Sequence, residues 1–292
     1  MKTLCPLSLL LLLLLAGVTQ LAAQTAPQMP PPILHIIRED IKAGRNAAHE
    51  TLETGYVQAY SQAKSPTYWL GMTASTGANQ AWFLTPYSSF AEFEKTDLER
   101  SPALLKRTEQ LDEQDAEFRT GQRVMLAVFR KDLSFHPERL MPSLPTSHYF
   151  SVITLRRRPG HDMEFAQALK MYFDAMEKAN VTYGTAIYEV YYGAQDTFVT
   201  FTAFKSLAEV DRGMVQDQTV IAALGPGNGL KLLKLTADSL LSSEANILNF
   251  SPRMSYVSKE FAAADPDFWS PKSKLEAKSQ AKPKKQTAKK KP

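Results

Sequence analysis

The hydrophobic pattern that begins at Ile33 spells one order of elements, strand-helix-strand-strand-helix-strand, and then spells it a second time. A chain written twice in this way is expected to fold as two like units that bury their apolar faces together. In the first copy, residues 33–39 read as a strand on the apolar run Ile33, Leu34, Ile36 and Ile37. Residues 45–63 have helical spacing, with Ala48, Leu52, Val57 and Ala59 apolar. Residues 68–74 and 81–85 read as a hairpin around Thr76-Gly77-Ala78-Asn79. Residues 88–118 are helical with a break near Pro102, and residues 123–130 form the closing strand.

The second copy repeats the order with a strand at 148–156, a helix at 162–179, and a hairpin of 186–192 and 197–203. Helices then run from 206 to about 242, before a last strand near 247–257. Residues are shared as well as order. Thr85 to Glu94 aligns with Thr202 to Asp211, and Lys42-Ala43-Gly44-Arg45 with Arg158-Pro159-Gly160-His161, at offsets of 117 and 116. Leu104-Leu105-Lys106 pairs with Leu232-Leu233-Lys234 at 128, which places an insertion in copy two around Gly225-Pro226-Gly227-Asn228-Gly229.

A β-α-β-β-α-β unit is ferredoxin-like. A strand followed by Pro159-Gly160-His161 and a helix opening on Glu164-Phe165 resembles the dimeric α/β-barrel superfamily, within it the NIPSNAP-like and antibiotic-monooxygenase-like domains. The resemblance implies an α+β chain whose two tandem units, 33–135 and 148–260 with a linker at 136–147, pack sheet against sheet around a central cavity as an intrachain pseudo-dimer. It covers residues 33–257 and carries a fold better than an activity.

Outside the repeat, Met1-Lys2, the leucine run 9–15 and small residues at Ala22 and Ala23 read as a cleavable signal peptide of residues 1–23. The run is shorter than the roughly 20 residues a membrane span takes. Residues 24–32 form a proline-rich leader. Cleavage would remove Cys5, the chain's one cysteine, and with it disulfides, thiolate metal sites and cysteine nucleophiles. The expected location is periplasmic or extracellular, in a bacterium. Charge is split: from Ser270 on, nine lysines oppose one glutamate, while the body at 24–269 carries −5. The basic balance therefore belongs to a tail, read as disordered over 261–292, and argues for no specific nucleic-acid partner. Such a tail could meet an anionic envelope polymer or lipid through charge.

No His-Glu-x-x-His, His-x-His or Gly-x-Ser-x-Gly pattern occurs, so no local metal or hydrolase motif is read. His49-Glu50 is adjacent on a helix, with the two side chains directed apart. His35 lies mid-strand on the face of Ile37 and Glu39; if that face lines the barrel, His35 is a cavity group. Glu189, set among tyrosines of the second hairpin, is the other acid–base candidate, since burial would raise its pKa. The expected ligand-binding residues are His35, Arg38, Tyr68, Trp82, His148, Tyr188 and Arg253, with Arg38 and Arg253 taken as strand-end carboxylate binders. Alternation puts Tyr188 and Tyr192 on one strand face and Glu189 and Tyr191 on the other.

The expected function is a small-molecule-binding or accessory protein that holds an apolar or aromatic ligand in the barrel cavity. The alternatives are a cofactor-poor monooxygenase or haem-handling enzyme, and a structural envelope protein tethered by its tail. No cofactor is called for by the residues themselves. Haem, which the resemblance brings in, would favour His35 or His148. Oligomeric state is not legible.

Overall fold

A computed structural model of the chain describes residues 29–270. The segment read as a signal peptide, most of the expected leader, and the tail beyond Ser270 lie outside the described residues. No helix among the described residues is long and apolar enough to cross a membrane.

The first unit runs β1 (Ile33–Ile41), α1 (Asn46–Gln62), β2 (Leu70–Ala74), β3 (Gln80–Tyr87), α2 (Phe90–Leu98), α3 (Pro102–Asp115) and β4 (Arg119–Phe129). After a short α4 (Leu140–Ser143), the second repeats it as β5 (Tyr149–Arg157), α5 (Asp162–Lys178), β6 (Ala186–Tyr192), β7 (Thr197–Phe204), α6 (Leu207–Leu224), α7 (Asn228–Ser239) and β8 (Leu240–Phe250). Two short helices follow, α8 (Lys259–Ala262) and α9 (Pro266–Trp269). The strands close a barrel in the order β1-β3-β2-β8-β5-β7-β6-β4, every neighbour pair antiparallel. Each unit contributes a four-stranded sheet, and the seams β2–β8 and β4–β6 join the two.

The copies agree in detail. The turns before α1 and α5 both carry a left-handed glycine, Gly44 at φ +77° and Gly160 at φ +82°, a conformation a Cβ disfavours. The ladder between first and last strand slips at the same place in both, between Asp40 and Ile41 and between Arg156 and Arg157. Ser101 caps α3, its hydroxyl accepting from Leu104 N–H, with Pro102 at the first helical position.

Strand alternation sends Leu34, Ile36, Met72, Trp82, Leu84, Tyr188, Val199, Phe201, Leu248 and Phe250 inward, where they pack as one buried cluster. Each such side chain is worth about 1.5–3 kcal/mol. The barrel interior is therefore mainly core, and the expected central cavity is reduced to space lined by Leu34, Leu84, Tyr188 and Phe201. That space is an apolar pocket of about 340 Å³ toward one end, bounded by Pro30, Pro31, Tyr68, Met141 and Phe261.

Other expectations need correcting at the same end. Residues 136–147 are more than a linker: Leu140 and Leu144 are buried in the barrel cluster. The stretch 261–269 is folded too, Trp269 being buried with its indole N–H donating to Pro145 O at 2.7 Å. The last strand starts seven residues early, at Leu240, because its polar first half pairs with β5. It ends at Phe250, where Pro252 lacks an N–H and Ser251 N–H turns to Gly71 O.

Candidate functional site

Helices cover the outer face of each sheet, and each unit encloses a cavity between the two. In the first, α1, α2 and α3 stand over β1 and β3 around about 440 Å³. In the second, α5, α6 and α7 stand over β5 and β7 around about 490 Å³. The linings correspond: Tyr56 matches Tyr172, Phe93 matches Val210, and Arg100 matches Asp217.

The first cavity is polar and aromatic. The outward face of β1 brings it His35, Ile37 and Glu39, while α1 adds Glu53, Tyr56 and Tyr60. Burial lowers the His35 pKa against a weaker pull from Asp97, so the imidazole is held neutral beside the Phe93 ring, 5.5 Å away. Tyr56 donates to Asp112 Oδ1 at 2.6 Å, and burial together with that bond pushes its pKa up. Burial pushes Tyr87 up to about 12. Behind this cavity lies a buried group of Glu39, His49, Glu53, Asp115 and Arg119. Burial, then Glu39 and Asp115, raise Glu53 well above the carboxylate range. Burial, then Glu39, raises Asp115 to about 6.

The second cavity is mainly apolar, walled by Phe165, Tyr172, Phe173, Tyr183 and Phe204. Its polar groups are mainly hydroxyls: Thr185 and Thr202, which bond each other at 2.7 Å, Ser239 with a buried unpartnered hydroxyl, and Ser151, Thr200, Thr236 and Ser243; Asp217 is its carboxylate. Burial raises the Asp217 pKa. Burial raises Tyr172 to about 12, with Asp217 adding to it.

The residues singled out from sequence are scattered. His35 faces the helices and not the barrel interior, because the register sends Leu34 and Ile36 inward. Arg38 is not at a strand end. It is buried inside the barrel, its guanidinium 4.1 Å above the Trp82 ring and Nη2 donating to Gln80 Oε1 at 3.1 Å. Trp82 donates to that same oxygen at 3.0 Å. Tyr68 and Tyr188 line the end pocket, and Tyr188 donates to Pro31 O at 2.9 Å. His148 stacks on Phe268 at 3.9 Å and lies 2.9 Å from Asp265.

Arg253 sits in the turn after β8, half-exposed and paired with Glu50 at 3.2 Å. Glu189 is not set among tyrosines; it is outside the barrel in an ion pair with Arg130. The β4–β6 ladder slips between Leu126 and Ala127, which turns Tyr192 outward against Phe90 and away from the face of Tyr188. Sequence reasoning missed Asp217 and the buried group behind the first cavity. A signal existed: His49 and Glu53 stand four apart on α1, where the second copy has Phe165 and Leu169.

No family model and no curated protein matches the sequence. Solved structures do match the fold. An anthrone oxidase-like protein superposes with a TM-score of 0.53 at 9% identity, over 80% of this chain and 97% of that one. The chain has the dimeric α/β-barrel fold. A candidate monooxygenase from Fusobacterium nucleatum gives 0.48 at 13% identity, over 76% of this chain and 93% of its own. A candidate chlorite dismutase gives 0.47 at 10%, over 81% and 100%. At these identities the likeness concerns fold.

Proposed function

We propose that the protein binds a small ligand with an aromatic or apolar body in the cavity under α5, α6 and α7, and that Asp217 anchors the ligand's polar group. The supporting observation is the lining: aromatic walls, a set of Ser and Thr hydroxyls, and one carboxylate, Asp217, at the exposed rim, the combination of apolar surface and placed polar groups that marks small-molecule sites. The barrel-cavity reading moves accordingly to a cavity outside the barrel wall.

Gly213 offers the test. It lines the cavity, and a Cβ there meets nothing within 4 Å, so a larger side chain can be accommodated without a backbone shift. The probe is 1-anilinonaphthalene-8-sulfonate, with small phenols as competitors. Gly213→Trp should weaken binding by roughly tenfold, an occlusion worth about 1.4 kcal/mol, while Met141→Trp in the end pocket leaves it unchanged. The reverse pattern would move the ligand to the end pocket.

A second reading is a cofactor-poor monooxygenase. Asp217 favours it, because a carboxylate at the exposed rim of an apolar cavity, its pKa raised by partial desolvation, suits proton abstraction from a phenolic substrate that itself supplies the electrons. The anthrone oxidase-like neighbour agrees with this reading by fold. Oxygen uptake with a hydroxylated aromatic, lost in Asp217→Asn, tests it.

Haem suits the residues less well. No imidazole lines the second cavity, and in the first His35 stands with Glu53, Asp97 and Asp112, carboxylates that oppose a haem's own. The NIPSNAP-like assignment rests on Pro159-Gly160-His161 and Glu164-Phe165 alone.

The leucine run supports export with Gln24 as the new N-terminus, which sequencing of the protein recovered outside the cytoplasm would test. The lysines beyond Ser270 support contact with an anionic polymer or lipid. Salt-sensitive sedimentation with phosphatidylglycerol vesicles, lost on truncation at Ser270, is the matching test.

A further inference from the structure

We propose that Glu39, His49, Glu53 and Asp115 form a binding site for one divalent transition-metal ion of the manganese, iron or zinc kind. The site lies in the first unit, apart from the ligand cavity of the second. Its residues come from β1, α1 and the last position of α3, and all four are buried.

One donor atom from each converges. His49 Nε2 lies 2.8 Å from Glu39 Oε2, 3.5 Å from Asp115 Oδ1 and 3.8 Å from Glu53 Oε1. The four atoms fall within 4.8 Å of one another. Donors about 2.1 Å from a four-coordinate ion stand roughly 3.4 Å apart, so this spacing needs only small adjustment to close on an ion. An ion there would replace the Nε2 proton of His49.

Two further observations point to a ligand. Asp115, with its side chain 1% exposed, has an Oδ1 that faces the imidazole and accepts no hydrogen bond. Its other oxygen is held by Arg119 Nε at 2.7 Å. Glu39 turns its outer oxygen the same way: Oε1 accepts from Arg119 at 2.6 Å and from Gln122 at 2.9 Å, while Oε2 faces the centre, bonded to His49 Nε2 at 2.8 Å. Fixing the outer oxygens so that the inner ones face one point is what the outer shell of a metal site does. Three carboxylates and an imidazole suit Mn, Fe(II) or Zn better than a soft ion.

The second copy shows that the fold does not need these charges. At the positions of Glu39, His49, Glu53 and Arg119 it carries Leu155, Phe165, Leu169 and Leu240, packed in one apolar cluster. Asp115, the last residue of α3, is matched by Ser239, the last of α7. Three carboxyl groups around one imidazole and one guanidinium are costly to bury in their ionised form, several kcal/mol for each ion. A divalent ion offsets that excess of negative charge.

The full chain, stripped with EDTA and dialysed, is titrated with Mn²⁺, Zn²⁺ and Co²⁺ by calorimetry, with the visible d–d absorption of Co²⁺ as a second readout. One ion per chain and a raised Tm are expected. Glu53→Gln should weaken binding by roughly tenfold or more. The triple change Glu39→Leu, His49→Phe, Glu53→Leu, which copies the second unit, should abolish it while the circular dichroism spectrum stays native. Wild-type protein that takes up none of the three ions overturns the proposal without any variant. Equal affinity in Glu53→Gln and His49→Phe overturns it as well.

Discussion

His49 and Phe165 occupy the same place in the repeated unit. Each is the fourth residue of the helix after its unit's first strand, and each is buried. The surroundings differ. His49 meets carboxylates, whereas Phe165 packs with Leu155, Leu169 and Leu240 and stacks on Phe198 at 4.6 Å. Phe165→His should therefore cost about 3 kcal/mol, from lost apolar contact and an imidazole without an acceptor. Urea unfolding should show this loss to exceed that of Phe165→Leu.

Arg38 offers a contrast between charge and volume. Its stack on Trp82 fills the barrel, while its charged partner Glu244, 3.9 Å away, is half-exposed and Gln80 Oε1 keeps the Trp82 donor. Arg38→Met should stay within about 1 kcal/mol of wild type. Arg38→Ala leaves a void and should lose about 2–4 kcal/mol. Equal losses in chemical denaturation would mean that the charge matters more than the filling.

Gly71 is fixed by contact. A Cβ there would lie 2.5 Å from Met254 O, in the turn that Gly71 itself holds through Ser251 N–H and Ser255 Oγ. Gly71→Ala should cost about 1–3 kcal/mol by overpacking. Trp69, whose indole N–H donates to Met254 O at 2.8 Å, should show the loosened turn as a shift in fluorescence.

His35 sets a pH dependence. Its folded pKa lies below the ordinary 6.5 because burial disfavours the imidazolium. The unfolded chain then binds the proton more readily, so stability falls as pH drops from about 6.5 through the folded value. Melting curves between pH 7 and pH 5 should show a shallower fall for His35→Gln than for wild type. Parallel slopes would remove His35 as the cause.

The strands and long helices were legible because each unit keeps its apolar period, and the duplication was legible because Gly44 and Gly160 demand the same turn. Which strand face looks inward was not legible. Ile33 and Ile36 are both buried although they lie on opposite faces of β1, so period alone could not tell that His35 faces the helices. Glu189 looked like a member of a tyrosine cluster because its partner Arg130 is 59 residues away in the chain. The buried group of Glu39, His49, Glu53 and Asp115 spans β1, α1 and α3 and forms no local motif. Its trace was a difference between copies, charge in one and leucine or phenylalanine in the other.

The seams β2–β8 and β4–β6 carry a consequence for inheritance. In a two-chain barrel of identical subunits, every substitution is made twice and both cavities change together. Here the halves are covalently one, so a carboxylate gained beside β1 is not imposed beside β5, and neither half can be diluted away from the other. One half can carry buried acids while its twin is apolar at the same positions, and their one-to-one ratio is guaranteed by translation.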